Sequence, residues 1–259
     1  MRETTPAVFV IARPTLDWTA IHEYLTTVGG TSWVARAQQI EGPPSEGLIE
    51  FAGRICYRSW EAGLNPNVRN IRTDRARYFD NILASGHGSI LEHATFSFVF
   101  QSVSRVFTHE LVRHRAGVAI SQESLRFVRL TDIGLRIPDD LADLRSNIVT
   151  IVEALEDFQV QAADRYGLDN EQVPFHVKKE ITSALRRLAP LGLSTDVLWT
   201  ANLRTLRHVI AMRTAVGAEE EMRLVFGKIA ALMKRECPLL FADFSEDGEG
   251  QWVPKYFKV

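Results

Sequence analysis

Cysteine is scarce in this chain: Cys56 and Cys237 are the only two among 259 residues. They stand too far apart, and without CxxC spacing, to mark a disulfide scaffold, a zinc site or a dithiol redox centre, and a reducing cytoplasm suits them. Long apolar runs are missing too. The stretch Ala7–Ala12 is too short for a membrane span and makes a poor signal peptide after Arg2, so neither a targeting segment nor a membrane partner is expected. Net charge is nearly absent, 30 Lys and Arg against 32 Asp and Glu for a sum of -2. A dedicated nucleic-acid binder needs a large basic excess to displace counterions, so nucleic acid is not an expected partner. No HExxH spacing occurs and no internal repeat is visible. With 46% apolar residues the chain can bury a substantial core, in one large domain or two closely joined ones. No linker divides it, so the reading is one domain over residues 1–259, with the acidic, glycine-rich Ser245–Gly250 opening a mobile C-terminal segment.

What is present reads as helices around a few strands. Helices are predicted over Asp17–Val28, Ser45–Ser59 after Pro43-Pro44, and Asn70–Ser85 before Gly86. From Ala94 to Val103, Phe96, Phe98 and Phe100 alternate with Thr95, Ser97 and Val99, the period of a half-buried strand. Ser104 caps a short helix through Arg113. Phe127–Ile137 reads as strand, and Pro138 as the start of a long amphipathic helix with Leu141, Leu144, Ile148, Val152, Leu155 and Phe158 on one face. Further on come a helix over Glu171–Leu188, a strand over Ser194–Thr200, a helix from Asn202 to Val216 with Asn202 as its N-cap, and a last helix over Ala218–Arg235.

The densest chemistry lies in Arg113-His114-Arg115, followed after eight residues by Ser124-Leu125-Arg126-Phe127. Guanidinium groups are planar forks of donors that stay charged at any working pH, and three so close repel unless an anion sits among them. The intervening segment carries only Glu123, so a bound anion answers the need. Consecutive helical residues point about 100° apart, so Arg113 and Arg115 address different ligands or different parts of one. The alternative is a solvated helix end. His87, His93, His109 and His114 with Glu92 and Glu110 raise a metal site, but Glu92 and His93 diverge in extended chain and His109 and His114 are badly spaced for one ion. The segment Gly86–His93 reads better as a phosphate or ribose loop, with two glycines and Ser89. In Asn202–His208, Arg204 and His208 lie one turn apart beside a helix N-terminus, where anions are favoured, and Arg213 points to the opposite side.

These segments together resemble the flavin-dependent thymidylate synthases, whose signature is Arg-His-Arg, seven or eight residues, then Ser. Gly86-His87 to Glu92-His93 is similar to that family's flavin loop, Arg186 before Pro190 to its nucleotide arginine, and Asn202-Leu203-Arg204 with His208 and Arg213 to its second flavin and nucleotide segment. The resemblance covers about residues 50–244. It implies an α+β fold with a central, mostly antiparallel sheet flanked by long helices, the thymidylate synthase-complementing protein fold. It also implies reductive methylation of dUMP to dTMP, with 5,10-methylenetetrahydrofolate as carbon donor and NADPH-reduced FAD as hydride source. The implied assembly is a cytoplasmic homotetramer with active sites between subunits.

Carried onto this sequence, the resemblance implies FAD contacts from Ser89, Arg113, His114, Arg115, Asn202, Leu203, Arg204 and His208, with either Gln122 or Glu123 facing the flavin. Substrate contacts are implied for Glu110, Leu111, Val112 and Arg113, for Gln122, Glu123, Ser124, Leu125 and Arg126, and for Arg186. Arg213 is similar to the arginine that activates the pyrimidine, and it also touches substrate. No metal is implied, and Cys56 and Cys237 read as structural. The chain departs from the pattern at Glu110, where some members have Gln, and at Gly217, where several have His.

Overall fold

The structure, a computed structural model, describes residues 1–40 and 42–259. Two short strands, β1 (Arg2–Glu3) and β2 (Ala7–Ala12), open the chain. Helix α1 (Trp18–Val28) begins where the Asp17 carboxylate accepts from the Ala20 N–H at 3.0 Å. A Gly29-Gly30 turn leads into α2 (Thr31–Gln39), and Pro44 opens α3 (Pro44–Tyr57). Asp74 caps α4 (Arg75–Ala84), and the Gly86–His93 loop winds into a 3-10 turn over Gly88–His93. Then follow β3 (Thr95–Ser104), α5 (Arg105–Leu111), β4 (Val118–Gln122) and β5 (Gly134–Leu135). The second half holds α6 (Arg145–Arg165), α7 (Phe175–Leu185), β6 (Ser194–Asn202), α8 (Leu203–Arg213), α9 (Glu220–Glu236), and a closing hairpin of β7 (Phe244–Glu246) and β8 (Trp252–Pro254).

The α+β architecture centres on a four-stranded antiparallel sheet in the order β2-β3-β6-β4. Its register sets two faces. Across the sheet, Val8, Phe100, Val197 and Gln122 are aligned, as are Val10, Phe98, Trp199 and Ile120, and these rows point inward. Behind them α8 and α9 supply Leu206, Val209, Ile210, Val225, Phe226 and Ile229, all fully buried. The Trp199 ring meets the Phe226 ring edge-on, with centroids 5.8 Å apart and planes at 89°. Each such aromatic contributes about 1.5–3 kcal/mol by leaving water. The other face carries the row Phe9, Val99, Leu198 and Ser121. Phe9 and Ile11 are 50% and 55% exposed there, so this face is apolar and open to solvent in the single chain.

A second core packs α1 and α2 on α3 through Ile21, Leu25, Trp33, Val34 and Trp60. At its base lies a buried ionic cluster. Glu50 Oε1 accepts from Trp33 Nε1 and from Arg54 Nε, both at 2.9 Å, and Oε2 accepts from Arg75 Nε at 2.9 Å. Arg54 spends its remaining donors on the carbonyls of Ser59 at 2.8 Å and Arg72 at 2.7 Å, clamping both ends of the irregular 59–72 loop.

Several expectations need correction. The strand expected over Phe127–Ile137 is confined to Gly134–Leu135; Phe127 is 57% exposed, and 124–127 forms a turn in which Phe127 N–H donates to the Ser124 carbonyl at 2.9 Å. Pro138 opens a 3-10 turn with a non-helical Leu141, and α6 begins only at Arg145, leaving Leu141, Leu144 and Phe158 exposed and Val152 buried. Asp74 starts α4 after Asn70, Pro174 starts α7 after Glu171, and α8 ends at Arg213 before Val216. In the acidic stretch Ser245–Gly250, Ser245 and Glu246 belong to β7 and 247–250 form the turn to β8, whose Trp252 packs into the main core. Strands β2 and β4 and helix α2 lack a counterpart in the sequence reading.

Candidate functional site

The Arg-His-Arg turn is built outward from α5. Glu221 on α9 is buried and accepts from both the N–H and hydroxyl of Ser104, which in turn caps α5 by accepting from Phe107 N–H at 3.1 Å. Burial pushes the Glu221 carboxyl up, and the Ser104 bonds oppose that shift. The helix runs out through Arg113 N–H donating to the Glu110 carbonyl at 3.2 Å and His114 N–H to that of Leu111 at 3.1 Å.

What joins this turn to α8, nearly ninety residues later, is backbone geometry at Gly117. Asn202 N–H donates to the Gly117 carbonyl at 3.1 Å, and Thr205 Oγ1 donates to the Ala116 carbonyl at 2.7 Å. The Asn202 side chain meanwhile caps α8 by accepting from Thr205 N–H at 2.9 Å. Gly117 has φ +67°, and a Cβ there would stand 2.2 Å from Asn202 Nδ2. Gly117→Ala should therefore displace the α8 cap and cost about 1–3 kcal/mol from backbone strain alone. Thermal unfolding measures that loss, and an unchanged melting temperature would contradict this packing.

From this junction the sequence-predicted residues fall into three groups. In the first, Arg213 Nε donates to His114 Nε2 at 2.7 Å, and its NH1 pairs with the Glu110 carboxylate. The His208 ring lies 6.4 Å from that of His114. Since His114 Nε2 is an acceptor, its proton sits on Nδ1. Burial, then the charge of Arg213 and the nearby His208, push the His114 pKa down to about 4, so the ring is neutral at physiological pH.

The second group surrounds a cavity of about 880 Å³ that includes Ser89, His87, Gly88 and Arg204. Arg204 NH1 pairs with Glu92 at 2.6 Å, and Leu203 N–H donates to the Ala94 carbonyl at 3.0 Å, which ties the Gly86–His93 loop to the α8 N-terminus. A Cβ on Gly88 would lie 2.8 Å from Arg204 Nε. The Tyr57 and His87 rings stack at 5.9 Å, 18° from parallel.

The third group gathers around Arg105 and Arg186. Arg105 Nε is buried without a hydrogen-bond partner among the described residues, and its NH2 donates to the Glu123 carbonyl at 2.9 Å; burial lowers the pKa of this guanidinium, Glu123 opposing that shift and Arg186 adding to it. Leu125 lines a hollow with Arg105, Glu123 and Arg129, and a second with Arg186. Ser124 Oγ accepts from Arg126 N–H at 3.3 Å.

Not every predicted residue presents a side chain. Leu111 and Leu203 are fully buried in the core and offer only backbone atoms. Arg113, Arg115, Val112 and Arg126 are exposed, and none of these arginines meets a carboxylate among the described residues. The Gln122 amide donates to Thr108 at 3.3 Å, and the Glu123 carboxylate accepts from Asp196 N–H at 3.0 Å and from Thr195 Oγ1 at 3.4 Å. Sequence reasoning missed Arg105, which carries no local signal beyond lying eight residues before Arg113. It also missed Arg69 and Arg72, whose signal is a stretch from 62 to 73 without a single acid. Among the described residues, no group of three or more His, Cys, Asp or Glu is placed to hold a metal ion, and no helix is long and apolar enough to cross a membrane.

A family model described as "Thymidylate synthase complementing protein" matches residues 40–239. The flavin-dependent thymidylate synthase of Mycobacterium tuberculosis (strain ATCC 25618 / H37Rv) is 34% identical over 209 residues, 79% of this chain and 80% of that one. Its counterpart from Corynebacterium diphtheriae is 32% identical over 224 residues, 85% of each. Among solved structures, thymidylate synthase X from Helicobacter pylori, crystallised with FAD and dUMP, superposes with a TM-score of 0.53 at 21% identity, over 76% of this chain and 93% of that one. At that identity the likeness establishes the fold.

Proposed function

From the premise that the chain belongs to the flavin-dependent thymidylate synthase family, we propose that its three residue groups serve the methylation of dUMP. The enzyme makes dTMP, and its cofactor is FAD. The residues fit that cofactor: a cavity lined by Arg204, the Ser89 hydroxyl and the backbone of the Gly86–Gly88 turn offers cationic and neutral donors suited to phosphate and ribose. Ser89, Asn202, the Leu203 backbone, Arg204 and His208 would hold it from one chain, and Arg113, His114 and Arg115 from another. When bound, FAD supplies the hydride that completes the methyl group, drawn from NADPH, while 5,10-methylenetetrahydrofolate supplies the carbon.

The observation that carries this reading is the fixed guanidinium of Arg213, held by Glu110 and His114 against the Arg-His-Arg turn. Uracil C5 becomes nucleophilic as negative charge gathers along N3 and O4, and a preoriented arginine stabilises that charge. Glu110 and neutral His114 hold Arg213, while Arg105 and Arg186 meet the substrate phosphate, which would satisfy the orphaned Arg105 Nε. Leu125 lines the hollow beside Arg105, and the Arg126 side chain is exposed next to it, free to meet the nucleotide.

The exposed Phe9, Ile11 and Leu198 face, together with the solvent-facing Arg113 and Arg115, supports a homotetramer with each site shared between chains, and the two free cysteines suit a reducing cytoplasm. No protein thiol is required: burial pushes Cys237 up to about 12, and Cys56 merely lines the cavity wall, donating to the Ala52 carbonyl at 3.4 Å. The test is tritium release from C5-labelled dUMP with folate and NADPH, on wild type and Cys56→Ala. A yellow protein that releases tritium, with Cys56→Ala near normal, is expected. A colourless protein, or a folded Cys56→Ala without activity, would overturn the assignment.

A further inference from the structure

The loop 59–72 forms one wall of the 880 Å³ cavity and brings to it Arg69, Arg72, Asn67 and Asn70. Among the described residues no Asp or Glu side chain lines this cavity, and the C-terminal Val259 packs against Gly88 at the Arg204 side, away from this wall. The wall is built and not a loose surface: Arg54, itself anchored on Glu50, holds the Ser59 and Arg72 carbonyls, and Asn65 Nδ2 donates to the Tyr57 carbonyl at 2.6 Å. Arg54 is ion-paired with Glu50, which it shares with Arg75, whereas the Arg69 and Arg72 side chains have no anionic partner among the described residues. Two permanently charged guanidinium groups lining one hollow repel each other unless an anion lies between them.

That anion is not required by the flavin. FAD carries two phosphate charges, and on the reading above Arg204, Arg113 and Arg115 already meet them. The charge surplus of the wall belongs to something that enters the cavity beside the flavin. The stacked Tyr57 and His87 rings and the two asparagine amides give that visitor a flat, polar-edged surface of the kind nucleotide and pterin-like rings use.

We propose that Arg69 and Arg72 form an anion subsite for a co-substrate of the reaction, taking either the extra phosphate of NADPH or the glutamyl carboxylates of the folate. The inference rests on the flavin occupying the Ser89 and Arg204 side of the same cavity. It gives these two arginines a role in co-substrate affinity that is separate from cofactor retention and from Arg213.

The experiment uses the FAD-loaded enzyme and the variants Arg69→Gln, Arg72→Gln and the double variant. Both side chains are exposed, so melting temperatures should match wild type. Flavin affinity is read by fluorescence titration, and co-substrate affinity by calorimetry with NADP+ against NAD+ and with triglutamyl against monoglutamyl folate. The double variant is expected to retain FAD within about twofold. It should bind the more anionic member of one pair about tenfold or more weakly, with the less anionic member little changed; which pair moves identifies the source. Loss of FAD affinity instead would assign the wall to the flavin and overturn the proposal, and so would co-substrate affinities equal to wild type. A wild type that binds no FAD would strike the functional reading itself, and is visible before any variant is made.

Discussion

Replacing Arg213 by Ala should lower dTMP formation by about 10² to 10³ in kcat, the usual cost of removing one preorganised donor from developing negative charge. Binding of FAD should persist, because Arg213 lies at the opposite end of α8 from Arg204 and the Gly88 loop. Arg213→Lys should recover little, since the ammonium cannot donate to His114 and Glu110 while also facing the ring. The same variant has a spectroscopic signature. The His114 titration, read by NMR, should rise from about 4 toward the ordinary 6.5, as one of the positive charges that depress it is removed. The sign also fixes a stability effect: between pH 6.5 and 4 the unfolded chain binds the His114 proton and the folded chain does not, so stability falls as pH drops through that window. An Arg213→Ala enzyme with normal turnover would remove the central role of this guanidinium.

Glu50→Ala should be the most damaging change to stability. Among the described residues its carboxylate is the sole anion meeting Arg54 and Arg75 in ion pairs, with the three side chains 4%, 3% and 9% exposed. Breaking a buried pair leaves an uncompensated charge and costs about 3–5 kcal/mol. For a chain of this size that lowers the melting temperature by roughly 10 °C. Trp33 loses its acceptor at the same time, so the α1–α2 hairpin should loosen along with the 59–72 loop. Glu50→Gln is expected to fall between the two, keeping an acceptor for Trp33 but not the charge. Hydrogen exchange would locate the damage, and a Glu50→Ala melting curve that overlays wild type would refute the accounting.

Local signals explain which parts of this fold are readable without coordinates. The Phe96, Phe98 and Phe100 alternation belongs to one strand and needs no partner to be recognised, and Asp17, Ser104 and Asn202 announce helix starts through side chains that bond within their own turn. Phe127–Ile137 misleads because β-branched and aromatic residues fit a strand only where another strand can pair with them; here just Gly134 and Leu135 find β1. The short strands β2 and β4 fail to stand out for the converse reason: their ladders run to β3 and β6, about ninety and eighty residues away. In the long helix, Leu141 and Leu144 keep the apolar period but sit in a 3-10 turn whose residues stay exposed.

By itself the sequence determined the chemistry: which segments carry fixed positive charge, where an anion can approach a glycine loop or a helix N-terminus, and hence the family that these segments resemble. Only the tertiary structure decided the groupings. It turned Glu110 and His114 onto Arg213, left Arg113 and Arg115 facing solvent, brought the half-buried Arg105 within electrostatic reach of Arg186, and set Arg69 and Arg72 into the cavity wall. The physical reason is range. Charge and capping are properties of a few neighbouring residues, whereas the meeting of Gly117 with Asn202 depends on β4 and α5 being fixed against β6 and α8 by contacts that no local pattern encodes.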